Sequence, residues 1–178
     1  MNANPAECER LAFMTVRLHN DEVRIDEDLV QQLLRTQLPE LANQDLHLVR
    51  AQGTDNVMFR LGAELSVRLP RKPSAARSLL IEREWLPRVA PRLPLAVPLP
   101  VASGEPSLAY PFPWMVCTWL SGTPLPPGGG LEAGDVDTLA EFVVALQSVD
   151  SEEGPQVQPG QRAGPVAAYD AVARVALD

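Results

Sequence analysis

Three short runs of alternating apolar and polar residues, separated by turn sequences, constrain the fold of this chain more than any other feature. The runs cover residues 46–50, 57–61 and 65–69. The segments between them, residues 52–56 (Gln-Gly-Thr-Asp-Asn) and 62–64 (Gly-Ala-Glu), have the composition of turns. Because successive side chains of a strand point to opposite faces, this pattern predicts a three-stranded antiparallel meander.

Helices are predicted on either side of the meander. The first begins after Asp26, which has a good N-cap side chain, and ends at Pro39; apolar residues recur at i, i+4 within it. The second is expected over residues 75–86, with Ser74 as its N-cap and Pro87 as its stop. The meander therefore has helical segments available to cover it.

Strand signals return after a proline-rich stretch, over residues 97–103 and 114–120. Residues 121–130, rich in Gly and Pro, are the clearest linker in the chain. Further helices are predicted over residues 136–149, capped by Asp135, and over residues 167–177. This order of elements predicts an α+β fold, in which an antiparallel sheet with packed helices is followed by an all-helical piece.

The charge balance excludes some classes of function. Of 178 residues, 15 are Lys or Arg and 23 are Asp or Glu, which gives a net charge of −8. A nucleic-acid-binding face would need a basic surface, whereas a phosphate ligand needs only a few local cations. No apolar stretch approaches the ~18 residues of a membrane span, and the first residues lack the apolar core of a signal peptide. We therefore expect a cytoplasmic protein that binds neither nucleic acid nor membrane.

Cysteine and histidine are too sparse for a disulfide framework or a zinc site. Cys8 and Cys117 are isolated thiols, and the two histidines are His19 and His47. Neither spacing matches that of known metal-ligand motifs.

The meander and the helix after it carry groups that suit a nucleoside triphosphate. Backbone N–H groups of a tight turn can bind phosphate oxygens. Arg68, on the same predicted strand face as Ser66, can hold phosphates, and Glu82 on the next helix can pair with that cation and fix its position. The segment after the last predicted strand can offer backbone groups to adenine. This is the layout of the small lobe of a kinase.

Five motifs occupy this layout in order. They are Gly53-Thr54-Asp55-Asn56-x-x-Phe59-Arg60-Leu61-Gly62, Val67-Arg68-Leu69-Pro70-Arg71, Glu82-x-x-Trp85-Leu86-Pro87, Tyr110-Pro111-x-Pro113-Trp114 and Trp119-Leu120-x-Gly122. Together they resemble the aminoglycoside phosphotransferase family, whose fold is protein kinase-like. The resemblance extends from about Met14, which we expect to be an alternative start of the chain, to the last residue.

This resemblance implies ATP as cofactor and transfer of its γ-phosphoryl group to a hydroxyl of a small molecule. It assigns the phosphate-covering turn to Gly53, Thr54, Asp55 and Asn56, and the nucleotide-positioning cation to Arg68. The carboxylate partner of that cation is assigned to Glu82, with Glu84 as the alternative, and the hinge to Thr118, Trp119 and Leu120. Kinases often have Lys where this chain has Arg68, and the exchange replaces a point charge by a planar fork.

Each assignment has a purely structural alternative. Residues 53–56 could form only a hairpin turn. Arg68 could be a solvated strand cation, and Glu82 could belong to an ordinary pair on a helix surface. Tryptophans are more often core residues than ligand contacts. The functional interpretation depends on all five motifs occurring in order on matching elements.

Part of the family's catalytic machinery has no counterpart in the sequence. The family carries a His-Gly-Asp-type catalytic loop with an Asn, and a later Asp that holds Mg²⁺. This chain has no histidine after His47. We therefore assign it no catalytic residue and no metal ligand, and we expect Mg²⁺ only if the missing lobe is supplied.

The expected organisation has four parts. Residues 1–20 form an extension, disordered in one interpretation; residues 21–120 form a kinase-like nucleotide-binding lobe; residues 121–134 form the hinge and linker; residues 135–178 begin a truncated helical lobe. On this interpretation the chain binds ATP and is inactive alone. A complete protein would also bind a small-molecule acceptor.

Three other interpretations remain open. The chain could be a non-catalytic binding or regulatory module, or half of a split kinase, with a protein partner covering the apolar side of residues 139–146. It could also be a stable remnant without any ligand.

Overall fold

The computed structural model describes residues 23–49, 53–123, 125, 128–150 and 154–155. Its contacts divide the chain into two compact units, Met1–Gln147 and Ser148–Asp178, and all described helices and strands lie in the first. The predicted extension over residues 1–20 and the predicted helix over residues 167–177 fall outside the described residues. The boundary predicted at residues 121–134 stays a prediction.

The elements follow one another as α1 (Glu27–Gln37), β1 (Leu46–Leu48), β2 (Asn56–Leu61), β3 (Leu65–Pro70), α2 (Pro73–Val89), a 3-10 turn (Ala90–Arg92), β4 (Pro100–Gly104), β5 (Trp114–Thr118) and α3 (Ala133–Gln147). The five strands form one sheet in the order β1-β2-β3-β5-β4, and every neighbouring pair is antiparallel. The predicted meander and the predicted α+β class are confirmed.

The β2–β3 hairpin closes at Gly62, whose φ of 58° is in the left-handed region that glycine adopts without penalty. Leu61 pairs with Leu65 across this turn, and Asn56 pairs with Pro70 at the far end of the hairpin. This register aligns the beginning of β2 with the end of β3. It therefore brings the turn before β2 next to the beginning of α2.

One face of the sheet packs on α1 and forms the main core. Apolar residues of β2, β3 and β5 alternate into it, and α1 contributes its buried stripe of Val30, Leu33 and Leu34. Asp26 caps α1 as predicted, because its carboxylate accepts a hydrogen bond of 3.0 Å from the Leu29 N–H group. The core holds the sheet rigid behind the opposite face.

The opposite face is only partly covered, by α2. Leu79 of α2 packs there with Met115 and Cys117 of β5 in a small second cluster. The side chains of β2 and β3 that alternate with the core residues lie on this face; those of β2 and Arg68 are half-buried, and Ser66 is buried. It is the face on which a ligand can reach the sheet.

The predicted boundaries of α2 were wrong at both ends. The N-cap is Lys72 rather than Ser74, because Pro73 occupies the first helical position, where its fixed φ and missing N–H group are tolerated. Pro87 lies inside the helix and does not stop it. It removes one backbone hydrogen bond only two residues before the helix ends at Val89, so the cost is small enough for packing to offset.

The other predicted boundaries differ by a few residues. Strand β4 starts at Pro100 and β5 ends at Thr118, so both are shorter than the apolar runs that predicted them. Helix α3 starts at Ala133, which places Asp135 within its first turn instead of at its N-cap. A carboxylate there still interacts favourably with the positive end of the helix dipole.

Helix α3 buries none of its residues. Its exposed large apolar side chains are Val136, Leu139, Val143, Val144 and Leu146. Within the described part of the chain, no helix combines the length and the apolar character needed to cross a membrane.

Candidate functional site

A cavity of about 560 Å³ lies on the open face of the sheet. Its lining residues come from the turn before β2, from β2, from β3, from the segment before β4, and from the end of β5 and the segment after it: Gly53, Thr54, Asp55, Asn56, Met58, Ser66, Arg68, Pro98, Thr118, Trp119 and Leu120. Eight of these were predicted as site residues from the sequence. The ninth predicted residue, Glu82, reaches the cavity through its contact with Arg68.

The turn over residues 53–56 is fixed to the segment that follows β3. The Arg71 N–H group donates a hydrogen bond of 2.9 Å to the Asp55 carbonyl oxygen. Lys72 Nζ lies 2.9 Å from Asp55 Oδ1 in an ion pair. Among the described residues, no atom other than those of Gly53 and its chain neighbours lies within 4 Å of the position a Cβ of Gly53 would occupy, so the turn is open on that side.

Arg68 and Glu82 form an ion pair at the inner end of the cavity. The distance between Arg68 Nη1 and Glu82 Oε2 is 2.5 Å, and 17% of the Arg68 side chain and 35% of the Glu82 side chain are exposed. Glu84, the alternative partner, instead pairs with Arg88 on the same helix at 3.2 Å. The strand cation is therefore held by the helix carboxylate at position 82.

The hinge segment is anchored through its own backbone. The Thr118 N–H group donates to the Leu99 carbonyl oxygen at 2.9 Å, and the Trp119 N–H group donates to the Glu64 carbonyl oxygen at 2.7 Å. Both N–H groups are thus occupied. The Arg60 guanidinium stacks 4.4 Å from the centroid of the Trp119 ring, which holds that ring at the cavity edge.

Three lining residues were missed by sequence reasoning: Met58, Ser66 and Pro98. Strand periodicity could have found the first two, because Met58 shares a face with Asn56, and Ser66 shares one with Arg68. Pro98 lies far along the chain in a proline-rich stretch, and no spacing rule indicates it.

Two further features set the polarity of the site. Asn56 Oδ1 is shielded from solvent and has no hydrogen-bond partner among the described residues. Burial raises the pKa of the nearby Cys117 thiol to about 11, although the Arg68 guanidinium, which also hydrogen-bonds to it, acts in the opposite direction. The thiol is therefore neutral at physiological pH.

The described residues contain no group of three or more His, Cys, Asp or Glu side chains that could hold a metal ion. The arrangement offers one cation braced by a carboxylate, a tight turn, and a backbone segment with an aromatic ring. These groups can bind an anion attached to a flat ring system.

A five-stranded antiparallel sheet with a braced cation on its open face defines the small lobe of a kinase-like fold. The chain matches the model of the phosphotransferase enzyme family (APH) over residues 47–177. It therefore belongs to this family, as the sequence motifs indicated. No curated protein sequence matches the chain.

Solved structures with the same fold are aminoglycoside and macrolide phosphotransferases. The complex of APH(2″)-IIIa with GDP and kanamycin matches with a TM-score of 0.63 at 22% identity, over 73% of this chain and 46% of that one. The ADP-bound aminoglycoside phosphotransferase APH(2″)-Ib matches with a TM-score of 0.52 at 17% identity, over 71% and 41%. The macrolide 2′-phosphotransferase MphH from Brachybacterium faecium, an apoenzyme, matches with 0.54 at 23% identity, over 85% and 54%.

These likenesses establish the fold of the described lobe. The chain spans about half the length of the solved structures it matches, since it covers 41–54% of these three.

Proposed function

We propose that the cavity on the open sheet face binds the nucleotide ATP, as the nucleotide-binding lobe of a phosphotransferase that acts on a small-molecule hydroxyl. One observation carries the proposal. The turn over residues 53–56, the Arg68–Glu82 pair and the hinge residues 118–120, far apart in sequence, converge on a single cavity.

Each part of the cavity suits one part of the nucleotide. Among the described residues that line the cavity, Arg68 carries the only cation, and it suits the α- and β-phosphates because the bound carboxylate of Glu82 fixes its position. The turn over residues 53–56 suits the phosphates through its backbone N–H groups. Trp119 and Leu120 border the end where the purine ring would lie.

The relatives support a nucleotide without fixing the base. One solved phosphotransferase of the same fold holds GDP and another holds ADP. Both ligands are purine nucleoside diphosphates, so the shared chemistry is a purine joined to phosphates. We propose ATP because it is the phosphoryl donor that the sequence resemblance implies.

The chain alone is proposed to bind nucleotide without transferring phosphate. Phosphoryl transfer depends on metal ions and on a residue that orients the acceptor hydroxyl. The sequence has no histidine after His47 and hence no His-Gly-Asp loop. Mg²⁺ and the acceptor would be bound by residues that this chain does not supply.

Helix α3 favours a second candidate, a module that works with a protein partner. Its apolar side chains are exposed, with 65% of the Val144 side chain accessible. A partner that completes a helical lobe would cover them. Sedimentation of the 178-residue chain alone separates the candidates, because a stable monomer that does not aggregate would argue against an obligate protein partner.

Calorimetric titration of the chain with ATP, with and without Mg²⁺, tests the proposed function. We expect binding that changes little with Mg²⁺. Arg68→Ala should weaken ATP binding about tenfold or more, the effect of losing a charged hydrogen bond. Arg77→Ala, which removes an exposed cation from α2, is the matched control and should bind as the natural chain does. No heat of binding with ATP or GTP would overturn the proposal.

A further inference from the structure

Among the described residues that line the cavity, Asp55 is the only one with a carboxylate. It lies in the turn assigned to the phosphates, where a negative charge is unfavourable. Its Oδ1 atom lies 2.9 Å from Lys72 Nζ, and the exposed fractions of the two side chains are 45% for Asp55 and 25% for Lys72. The carboxylate is therefore held by a cation that does not itself line the cavity.

A lysine side chain at position 72 is unfavourable for the start of α2. It is the N-cap of α2, makes no side-chain capping hydrogen bond, and is followed by no acidic residue in the first turn. N-caps are normally Ser, Thr, Asp or Asn, and a cation at this end opposes the helix dipole. A residue that breaks a local rule is expected where another role compensates. The ion pair with Asp55 is the compensating contact in this structure.

The same turn is held by the backbone next to Lys72. The Arg71 N–H group donates to the Asp55 carbonyl oxygen at 2.9 Å, so Asp55 is bound through both its main chain and its side chain. The backbone bond fixes where the turn lies. The ion pair additionally fixes where its charge lies.

We propose that Lys72 is a positioning residue for the phosphates: it neutralises Asp55 and holds the carboxylate away from the ligand. The inference rests on the proposed nucleotide function. Without Lys72, the cavity that Arg68 lines would also present an uncompensated carboxylate. That charge would repel the phosphates and compete for the Arg68 guanidinium.

This role makes a prediction that a merely structural role does not. Coulomb repulsion scales with the charge of the ligand, so the effect should grow from adenosine through ADP to ATP. It should also shrink as salt screens the interaction. A change that only loosened the fold of the turn would affect all three ligands alike.

The experiment is a calorimetric titration of five chains with adenosine, ADP and ATP at low and at physiological salt. The chains are the natural one, Lys72→Met, Lys72→Arg, Asp55→Asn with Lys72→Met, and the control Arg77→Met, which removes an exposed cation one turn further along α2. Thermal unfolding of each chain checks that it is folded.

For Lys72→Met we expect ATP affinity to fall about two- to fivefold at low salt, with a smaller loss for ADP and none for adenosine. Lys72→Arg should recover most of the lost ATP affinity because it keeps the positive charge. Asp55→Asn with Lys72→Met should also recover most of it because it removes the carboxylate that Lys72 neutralises. Arg77→Met should change nothing.

Three results would overturn the inference while leaving the proposed function standing: unchanged ATP affinity in Lys72→Met, an equal loss for adenosine and ATP, or no recovery in the double variant. If the natural chain binds none of the three ligands, nor GTP, the proposed function fails and this inference fails with it.

Discussion

Arg68 and Glu82 join β3, the central strand of the sheet, to helix α2, with 2.5 Å between Nη1 and Oε2. The pair crosses from β3 to α2 on the open face of the sheet. Because both side chains are partly shielded, the contact determines where the guanidinium lies in the cavity. A cation fixed in this way needs less ordering when a phosphate binds.

The first prediction concerns this brace. Glu82→Gln keeps the shape of the side chain and removes its charge, so Arg68 loses its fixed position. We expect ATP to bind about two- to fivefold more weakly, in the range of a partly exposed ion pair. Titration calorimetry measures the change. Glu84→Gln breaks the other carboxylate pair of α2, with Arg88, and should leave ATP affinity unchanged; equal losses in the two variants would argue against the brace.

The elements could be predicted from the sequence wherever periodicity was strong. The meander followed from period-two alternation, and Asp26 was recognised as an N-cap by its side chain and the apolar stripe after it. The boundaries of α2 could not be predicted, because the positional preferences of proline in helices are averages from which an individual helix can depart. Pro73 started the helix and Pro87 was tolerated near its end, where only one hydrogen bond is lost.

The sequence motifs predicted the candidate site better than the periodicity of strands and helices did. Alternation placed Ser66 and Arg68 on one face, yet only the fold shows that Ser66 lines the cavity. Sequence reasoning preferred Glu82 and kept Glu84 as the alternative, since both lie on α2; the turn of the helix directs Glu82 to Arg68. No sequence pattern indicated Lys72 as a site residue, because its partner Asp55 lies on the other side of the β2–β3 hairpin in the sequence.

The second prediction concerns the end of β4, where Gly104 packs against Trp114. A Cβ atom on Gly104 would lie 1.9 Å from Cε2 of the fully buried Trp114 ring. Because the ring is enclosed by core, it cannot move aside cheaply. Gly104→Ala should lower the free energy of unfolding by about 2–3 kcal/mol or more, as overpacked cores do.

Denaturant unfolding measures this change. Gly122→Ala is the control, since no atom of the described residues beyond its chain neighbours lies within 4 Å of its Cβ position. We expect that variant to stay within about 0.5 kcal/mol of the natural chain. A similar stability in both glycine variants would mean that the strand end moves to accommodate the methyl group.

The third prediction concerns a buried hydrogen bond that ties the β4–β5 connection to the end of β3. The Tyr110 hydroxyl donates to the Pro70 carbonyl oxygen at 2.5 Å, and Tyr110 is fully buried. Tyr110→Phe would leave that carbonyl without its donor, so we expect a loss of about 1–3 kcal/mol in the free energy of unfolding. Thr36→Val removes an exposed hydroxyl bonded to helix carbonyls and should cost clearly less. Equal costs for the two variants would contradict this account.

The last prediction is a pH dependence that arises from Cys117. Burial raises the pKa of its thiol from 9.0 to about 11, so the native state favours the neutral form. The stability this contributes is complete below about pH 9, where the unfolded thiol is also protonated, and it is lost as pH rises towards 11.

Comparison with Cys117→Ser isolates this contribution, because Tyr110, whose pKa burial also raises, remains in both chains. Denaturant unfolding between pH 8 and pH 11 should show the natural chain losing stability more steeply than the variant, by up to roughly 2–3 kcal/mol for two pKa units. The serine variant will be less stable at pH 8, so the slopes are compared rather than the absolute values. Parallel slopes would mean that the thiol ionises as readily in the native state as in the unfolded one.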